Sequence, residues 1–240
     1  MRYNNVDFLY RYGFDLEPLR QLAIRCYENT PTGVYTSKVK ENSPYTLDEC
    51  KKMTKALLIL EEKLTVQCTR RALAIGGDID YSGELHRHEA LLKLLPKGIP
   101  DSTEAWMAFM QSNPLFTDVY FPTVNAHTPE ELTTEEHAVI DHIVHQFTTL
   151  QTFQDDMKWM FWKGEMYRVV DNTLYYHAAL PATSDMSLSS IKGLKGKDLM
   201  DWLQRDLKRI GERWLAGEEP TLRQKMLFYY LWCGAESPFF

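Results

Sequence analysis

One β-hairpin signal stands among several helical ones, and that imbalance limits what this chain can fold into. Residues Met166 to Val170 and Thr173 to Leu180 are rich in Val, Tyr and Leu, and Asp171-Asn172 between them tolerate the positive φ of a tight turn. A hairpin of two strands buries too little surface to stand alone in water. The expected architecture is therefore α+β and predominantly helical, either with helices covering the hairpin or as a piece of something larger. The last residues favour a piece, because Trp232 to Phe240 end on paired aromatics straight after a turn, where an exposed apolar terminus is costly.

The helices are read from periodicity and caps. Leu19, Leu22, Ala23 and Cys26 recur at steps of three and four, which predicts a helix from Leu16 to about Glu28. Thr46 with Glu49 three residues on forms a capping-box pattern and opens a helix through Met53, Leu57 and Leu60 to about Arg71. Gly76-Gly77-Asp78 breaks the pattern, and Leu85 to Leu95 resumes it until Pro96-Lys97-Gly98. Asp101 or Ser102 caps a short helix over Thr103 to Met110, and Pro114 to Pro122 reads as an extended edge or connecting strand. The strongest signal starts at Thr133, paired with Glu136, and predicts one helix through Val139, Ile143, Phe147, Leu150 and Phe153 towards Trp162. Leu199 to Leu215 and Leu222 to Trp232 are two further amphipathic helices, separated by Gly217-Glu218-Glu219-Pro220. The expected division is a mainly helical region over 1–163 and, over 164–240, the hairpin with the C-terminal helices.

Composition matters here for what it excludes. With 44% hydrophobic and 25% charged residues in 240, the chain is built to fold. A net charge of -6 without a Lys/Arg block argues against nucleic acid or an anionic membrane as partner. No apolar run reaches the roughly 18 residues that span a bilayer, and Met1 to Asp7 are polar rather than signal-like. Cys26, Cys50, Cys68 and Cys233 form no C-x-x-C pair and read as reduced thiols, so the expected location is the cytoplasm.

Five places carry residue types suited to chemistry. His177 ends the second hairpin strand, followed by small Ala178 and Ala179 and then Pro181, a position where an imidazole can ligate a transition metal. Its ordinary alternative is a partly buried histidine beside Tyr176. His137, Asp141 and His145 share one helix face at four-residue spacing, a pattern that holds a metal or, more commonly, marks a solvated face. His86 and His88 lie two apart, on different faces, with Glu89 beside them. Gly77-Asp78-Ile79-Asp80 looks like a metallophosphatase Gly-Asp, but its second aspartate arrives one position early and no Arg-Gly follows, so it reads as a turn. Arg70-Arg71 and Arg87 suit phosphate through charge-assisted bonds, yet nothing in the sequence orients them.

Five segments together carry a resemblance. They are Leu64-Thr65-Val66-Gln67 with Arg70-Arg71; Phe121-Pro122-Thr123-Val124; Phe161-Trp162-Lys163-Gly164-Glu165-Met166-Tyr167; Leu174-Tyr175-Tyr176-His177-Ala178-Ala179-Leu180-Pro181; and Tyr230-Leu231-Trp232-Cys233-Gly234 with Ser237-Pro238. Their order and spacing are similar to the central part of class III fructose-1,6-bisphosphatases over nearly the whole chain. The resemblance implies a calcineurin-like metallophosphoesterase sandwich that hydrolyses fructose 1,6-bisphosphate to fructose 6-phosphate in gluconeogenesis, typically with manganese. Two metals suit that reaction by neutralising phosphate charge and supplying a hydroxide for in-line attack. In that family a strand ending in His-Gly-x-x-Pro supplies one metal ligand; His177 matches it, with Ala178 in place of the glycine.

The departures are larger. The family's Asp-x-His, Gly-Asp-x-x-Asp-Arg-Gly and Gly-Asn-His-Asp upstream, and its Gly-His and further histidine downstream, have no counterpart here. One ligand of about seven does not hold a two-metal cluster. The leading expectation is thus part of a fructose-1,6-bisphosphatase, inactive by itself, with His177 as the one metal residue, no catalytic residue assigned, and the missing parts of a split enzyme as partners. A non-catalytic interaction module and a different hydrolase built on His137, Asp141 and His145 are the alternatives.

Overall fold

A computed structural model describes residues 5–35, 43–95, 118, 120–177, 179–183, 185–234 and 237–239. Among them are helices α1 (Asn5–Arg11), α2 (Glu17–Tyr27), α3 (Leu47–Ile75), α4 (Ser82–Leu94), α5 (Thr134–Thr149), α6 (Gln151–Lys163), α7 (Gly196–Leu215) and α8 (Leu222–Cys233), with strands β1 (Tyr167–Val170) and β2 (Thr173–Tyr176). The protein is thus mostly helical with a two-stranded antiparallel sheet. The helix over Thr103 to Met110 and most of the extended segment from Pro114 lie outside the described residues; residues 118 and 120–122 are described and form no strand. The chain separates into two compact units, one of residues 1–67 and 83–153, the other of residues 68–82 and 154–240. These cuts fall inside α3, at the first residue of α4 and inside α6.

The first unit begins with a tightly closed helix. Gly13 adopts φ +84, its N–H bonds to Tyr10 O and that of Phe14 to Leu9 O. That pair of bonds satisfies the end of α1 and drops buried Phe14 onto the core. The apolar stripe of α2, Leu19, Leu22 and Ala23, is buried as its spacing predicts, and α2 packs on α5. At the start of α3, Glu49 accepts the Thr46 N–H at 2.8 Å while the Glu49 N–H donates to the Thr46 hydroxyl at 3.2 Å, the reciprocal capping box. Met53, Leu57 and Leu60 then join the buried cluster.

The predicted long helix from Thr133 is two helices. Thr133 and Glu136 cap α5 as expected, but Leu150 leaves the helical region with ψ 112. The reason is local: the hydroxyls of Thr148 and Thr149 both donate to His145 O, at 2.8 and 2.9 Å, and such bonds compete with the helical ladder. The break lets Phe147 and Phe153 both meet Phe14, with centroids 4.8 Å and 6.2 Å from it and 4.9 Å from each other. Periodicity alone does not see that contact, because Phe14 is distant in sequence.

In the second unit, α7 and α8 enclose a core of Leu199, Met200, Leu203, Ile210, Leu227, Tyr230 and Leu231. Gly211 matters to that packing: a Cβ there would lie 2.3 Å from the Phe161 ring, so only glycine lets the ring approach. The hairpin forms in the expected register, Tyr167 opposite Tyr176 and Val170 opposite Thr173. Asp171 and Asn172 take φ 46 and 62, as a two-residue turn matching the strand twist requires. Gln204 of α7 ties down the approach to β1, accepting the Met166 N–H at 2.5 Å and donating to Gly164 O at 3.0 Å.

Candidate functional site

His177 directly follows β2 and is exposed. Its ring lies 5.0 Å from that of Phe239, and Phe239 in turn meets Trp232 at 5.5 Å. The Ala179 N–H donates to Pro238 O at 3.3 Å, and buried Ser237 donates from its hydroxyl to Leu231 O at 2.5 Å. The segment after the hairpin is therefore pinned to the segment after α8, and the imidazole is held between strand end and aromatic rings. The loop that follows is ordered by its own bonds. The Asp185 carboxylate accepts from the Thr183 and Ser187 hydroxyls and the Ser187 N–H, and the Thr183 hydroxyl foremost holds its pKa down at about 2.

Among the described residues no other ligand joins His177. Among the described residues no group of three or more His, Cys, Asp or Glu side chains is placed to share a metal ion. One exposed imidazole beside aromatic rings does not fit a two-metal site. His137, Asp141 and His145 lie on an exposed stripe of α5. Their neighbour His142 instead faces Asp15, with Nε2 3.1 Å from its carboxylate. His86 is exposed, while His88 turns inward to Glu62 on α3, 2.5 Å from Nδ1, with Glu84 3.9 Å from Nε2. Arg70, Arg71 and Arg87 are exposed, and Arg87 reaches Glu84 only at 4.0 Å.

Gly77-Asp78-Ile79-Asp80 is a turn, as expected, and its carboxylates have work there. Asp80 accepts the Ser82 N–H at 2.8 Å at the start of α4. Asp78 receives Lys192 at 3.0 Å and Arg223 at 2.9 Å. The turn borders a cleft of about 290 Å³ in the second unit, lined also by Trp202, Asp206, Arg209 and the first turn of α8.

Sequence reasoning missed the buried charges of the first unit. Lys63 is fully buried and donates to Glu136 at 2.6 Å and to Thr123 O at 2.7 Å. Lys55, equally buried, meets Asp118 at 2.7 Å and Pro31 O at 3.0 Å, with the Phe121 ring centroid 5.0 Å away and Tyr27 and Tyr35 within 6 Å. Burial pushes both ammonium groups below their usual pKa, and the facing carboxylates oppose that. A signal was present: positions 52, 55, 59 and 63 share one stripe of α3, and the lysines there alternate with Ile59 on its buried side.

The family described as Firmicute fructose-1,6-bisphosphatase matches residues 1–240. A fructose-1,6-bisphosphatase class 3 of Clostridium botulinum (strain Alaska E43 / Type E3) is 31% identical over the whole of this chain and 35% of its own length. Its counterpart from Clostridioides difficile (strain 630) is 30% identical over the same shares, and one from Porphyromonas gingivalis (strain ATCC 33277) is 28% identical over 36% of its length. The chain thus spans about a third of the length of the curated relatives it matches. No solved structure matches it. No helix among the described residues is long and apolar enough to cross a membrane. Matched from its first residue to its last, the chain belongs to the Firmicute fructose-1,6-bisphosphatase family.

Proposed function

We propose that this chain is one part of a class III fructose-1,6-bisphosphatase, acting in the cytoplasm on fructose 1,6-bisphosphate and water to give fructose 6-phosphate and phosphate. It is inactive alone. In this reading residues 164–240 belong to a calcineurin-like sandwich, with the helical region 1–163 attached, and His177 is the one metal ligand this chain contributes. The described residues do not complete a metal site, and in this reading the manganese or other divalent ion, with the rest of its ligands, belongs with the part of the relatives' length that this chain does not span.

The observation that carries the reading is the uncovered hairpin. Every residue of β2 is exposed, as are Val169 and Val170 of β1, and His177 stands at the end of that strand. The same unit exposes Trp159, Trp162 and Trp232 by 67%, 81% and 60%. Two strands with apolar residues open to water on both faces are a sheet awaiting neighbours. The neighbours are the strands of the remaining two-thirds. Among the described residues Cys26, Cys50 and Cys68 are joined in no disulfide, in keeping with a reducing compartment.

The test is a chimera in which this chain replaces the matching third of the Clostridium botulinum relative. Manganese-dependent phosphate release from fructose 1,6-bisphosphate is expected, and His177→Ala is expected to abolish it with the fold intact. A folded chimera without turnover, or one indifferent to His177→Ala, overturns the reading in favour of a non-catalytic module.

A further inference from the structure

We propose that the cleft of the second unit is a seat for a small phosphorylated molecule, and that Asp78 occupies its phosphate position in the chain as it stands. Lys192 Nζ and Arg223 Nη2 converge on the same atom, Asp78 Oδ2, at 3.0 and 2.9 Å. The two cations come from separate elements: Lys192 from the turn closed by Ile191 and Leu194, where it takes φ 56, and Arg223 from the first turn of α8. An ammonium and a guanidinium directed at one oxygen is the arrangement that grips a phosphate oxygen, and a phosphate dianion offers them twice the charge of a carboxylate.

The seat does not depend on its present occupant. Lys192 lies over the Trp202 ring, 4.9 Å from its centroid, so stacking holds the ammonium in place when Asp78 leaves. Asp78 follows Gly76-Gly77; Gly76 has φ +65, and neither glycine has an atom near the place of a Cβ, so the backbone leading to Asp78 carries no packed side chain there. The space is about 290 Å³, close to the lower end of small-ligand sites at about 300–1,000 Å³. Access is open, since the Lys192 and Arg223 side chains are 38% and 60% exposed. Arg209 adds a third cation to the lining, and the one opposing carboxylate, Asp206, is already bonded to it at 2.8 Å. None of this rests on the reaction proposed above.

Inorganic phosphate is the probe, followed by amide and indole NMR on the whole chain. Asp78→Asn removes the competing charge with little change of shape and is expected to tighten phosphate binding about tenfold, a shift of about 1.4 kcal/mol. Lys192→Met or Arg223→Met in that background is expected to return it to the starting level or below. Phosphate binding no tighter in Asp78→Asn, or tighter binding that survives both methionine changes, overturns the proposal. Should Asp78→Asn fail to fold, the unaltered chain decides: resonance shifts centred on Gly77, Lys192 and the Trp202 indole support the seat, and shifts that are absent or scattered over the surface overturn it.

Discussion

The two units solve the same problem, covering an apolar face, with different completeness. The first closes on itself: its core runs from Val6 through Leu60 to Ile143, and it buries even charged groups, Lys55 against Asp118 and Lys63 against Glu136. The second has a core of its own around Leu199, Leu203 and Leu231, yet the described tryptophans exposed by more than half all belong to it, and so does the bare hairpin. Buried ion pairs are costly to desolvate and survive only where partners are fixed on every side. Exposed indoles are costly in water and persist where a partner covers them. The contrast teaches that one unit buries its apolar and charged groups within itself, while the other leaves its hairpin and three tryptophans open among the described residues.

The largest expected effect tests the finished unit. Lys63→Ala leaves Glu136 buried without its counter-charge and is expected to cost about 3–5 kcal/mol in urea unfolding, while Lys63→Met with Glu136→Leu recovers most of it. A loss below about 1 kcal/mol shows that water reaches the pair, and the contrast between units weakens. In the second unit, Gly211→Ala drives a methyl into the Phe161 ring and is expected to cost about 1–3 kcal/mol, read as lost amide-exchange protection in α7. If exchange is unchanged, the Phe161 packing is looser than it looks.

The units also differ at the two ends of the pH scale. Burial foremost pushes the Tyr27 and Tyr35 phenols far above their usual value. A raised folded-state value means that their contribution to stability is complete below about pH 10 and falls as pH climbs beyond it. Tyrosinate absorbance should therefore show two phenols that ionise only as the first unit unfolds; early ionisation of both removes the claim of a dry interior. Asp185 is the opposite case. Its lowered value means a contribution present above about pH 4 and lost as pH falls towards its folded value of about 2, visible as a carboxyl titration in NMR. The smallest effect is on the open surface: Trp162→Ser is expected to change stability by no more than about 0.5 kcal/mol, yet to reduce binding of an apolar dye. A large destabilisation would mean that Trp162 is already packed.

Much of the architecture was legible in residues close together in sequence. The capping boxes at Thr46 and Thr133, the Asp171-Asn172 turn and the apolar stripes of α2, α7 and α8 each depend on contacts within a few residues, so spacing reports them. The family, too, was legible, because its segments lie in order along the chain. The break at Leu150 was not: apolar spacing does not register the Thr148 and Thr149 hydroxyls bonding back to His145 O, nor the contact of distant Phe14 with Phe147 and Phe153 that the break permits. Of the surroundings of His177, its place after the second hairpin strand was legible from the hairpin pattern, but Trp232 and Phe239 beside it come from the end of α8 and the segment after it.

The sequence by itself determined where the capped helices start, that one hairpin exists, and which family the chain resembles, because caps, turns and periodicity act within one or two helical turns. Only the tertiary structure decided which charges are buried and which anions meet which cations. Lys63 finds Glu136 across 73 positions and Arg223 finds Asp78 across 145. A lysine on a helix reads the same in sequence whether it faces water or a carboxylate, and the difference arises only when desolvation and a fixed partner are brought to the same point in space.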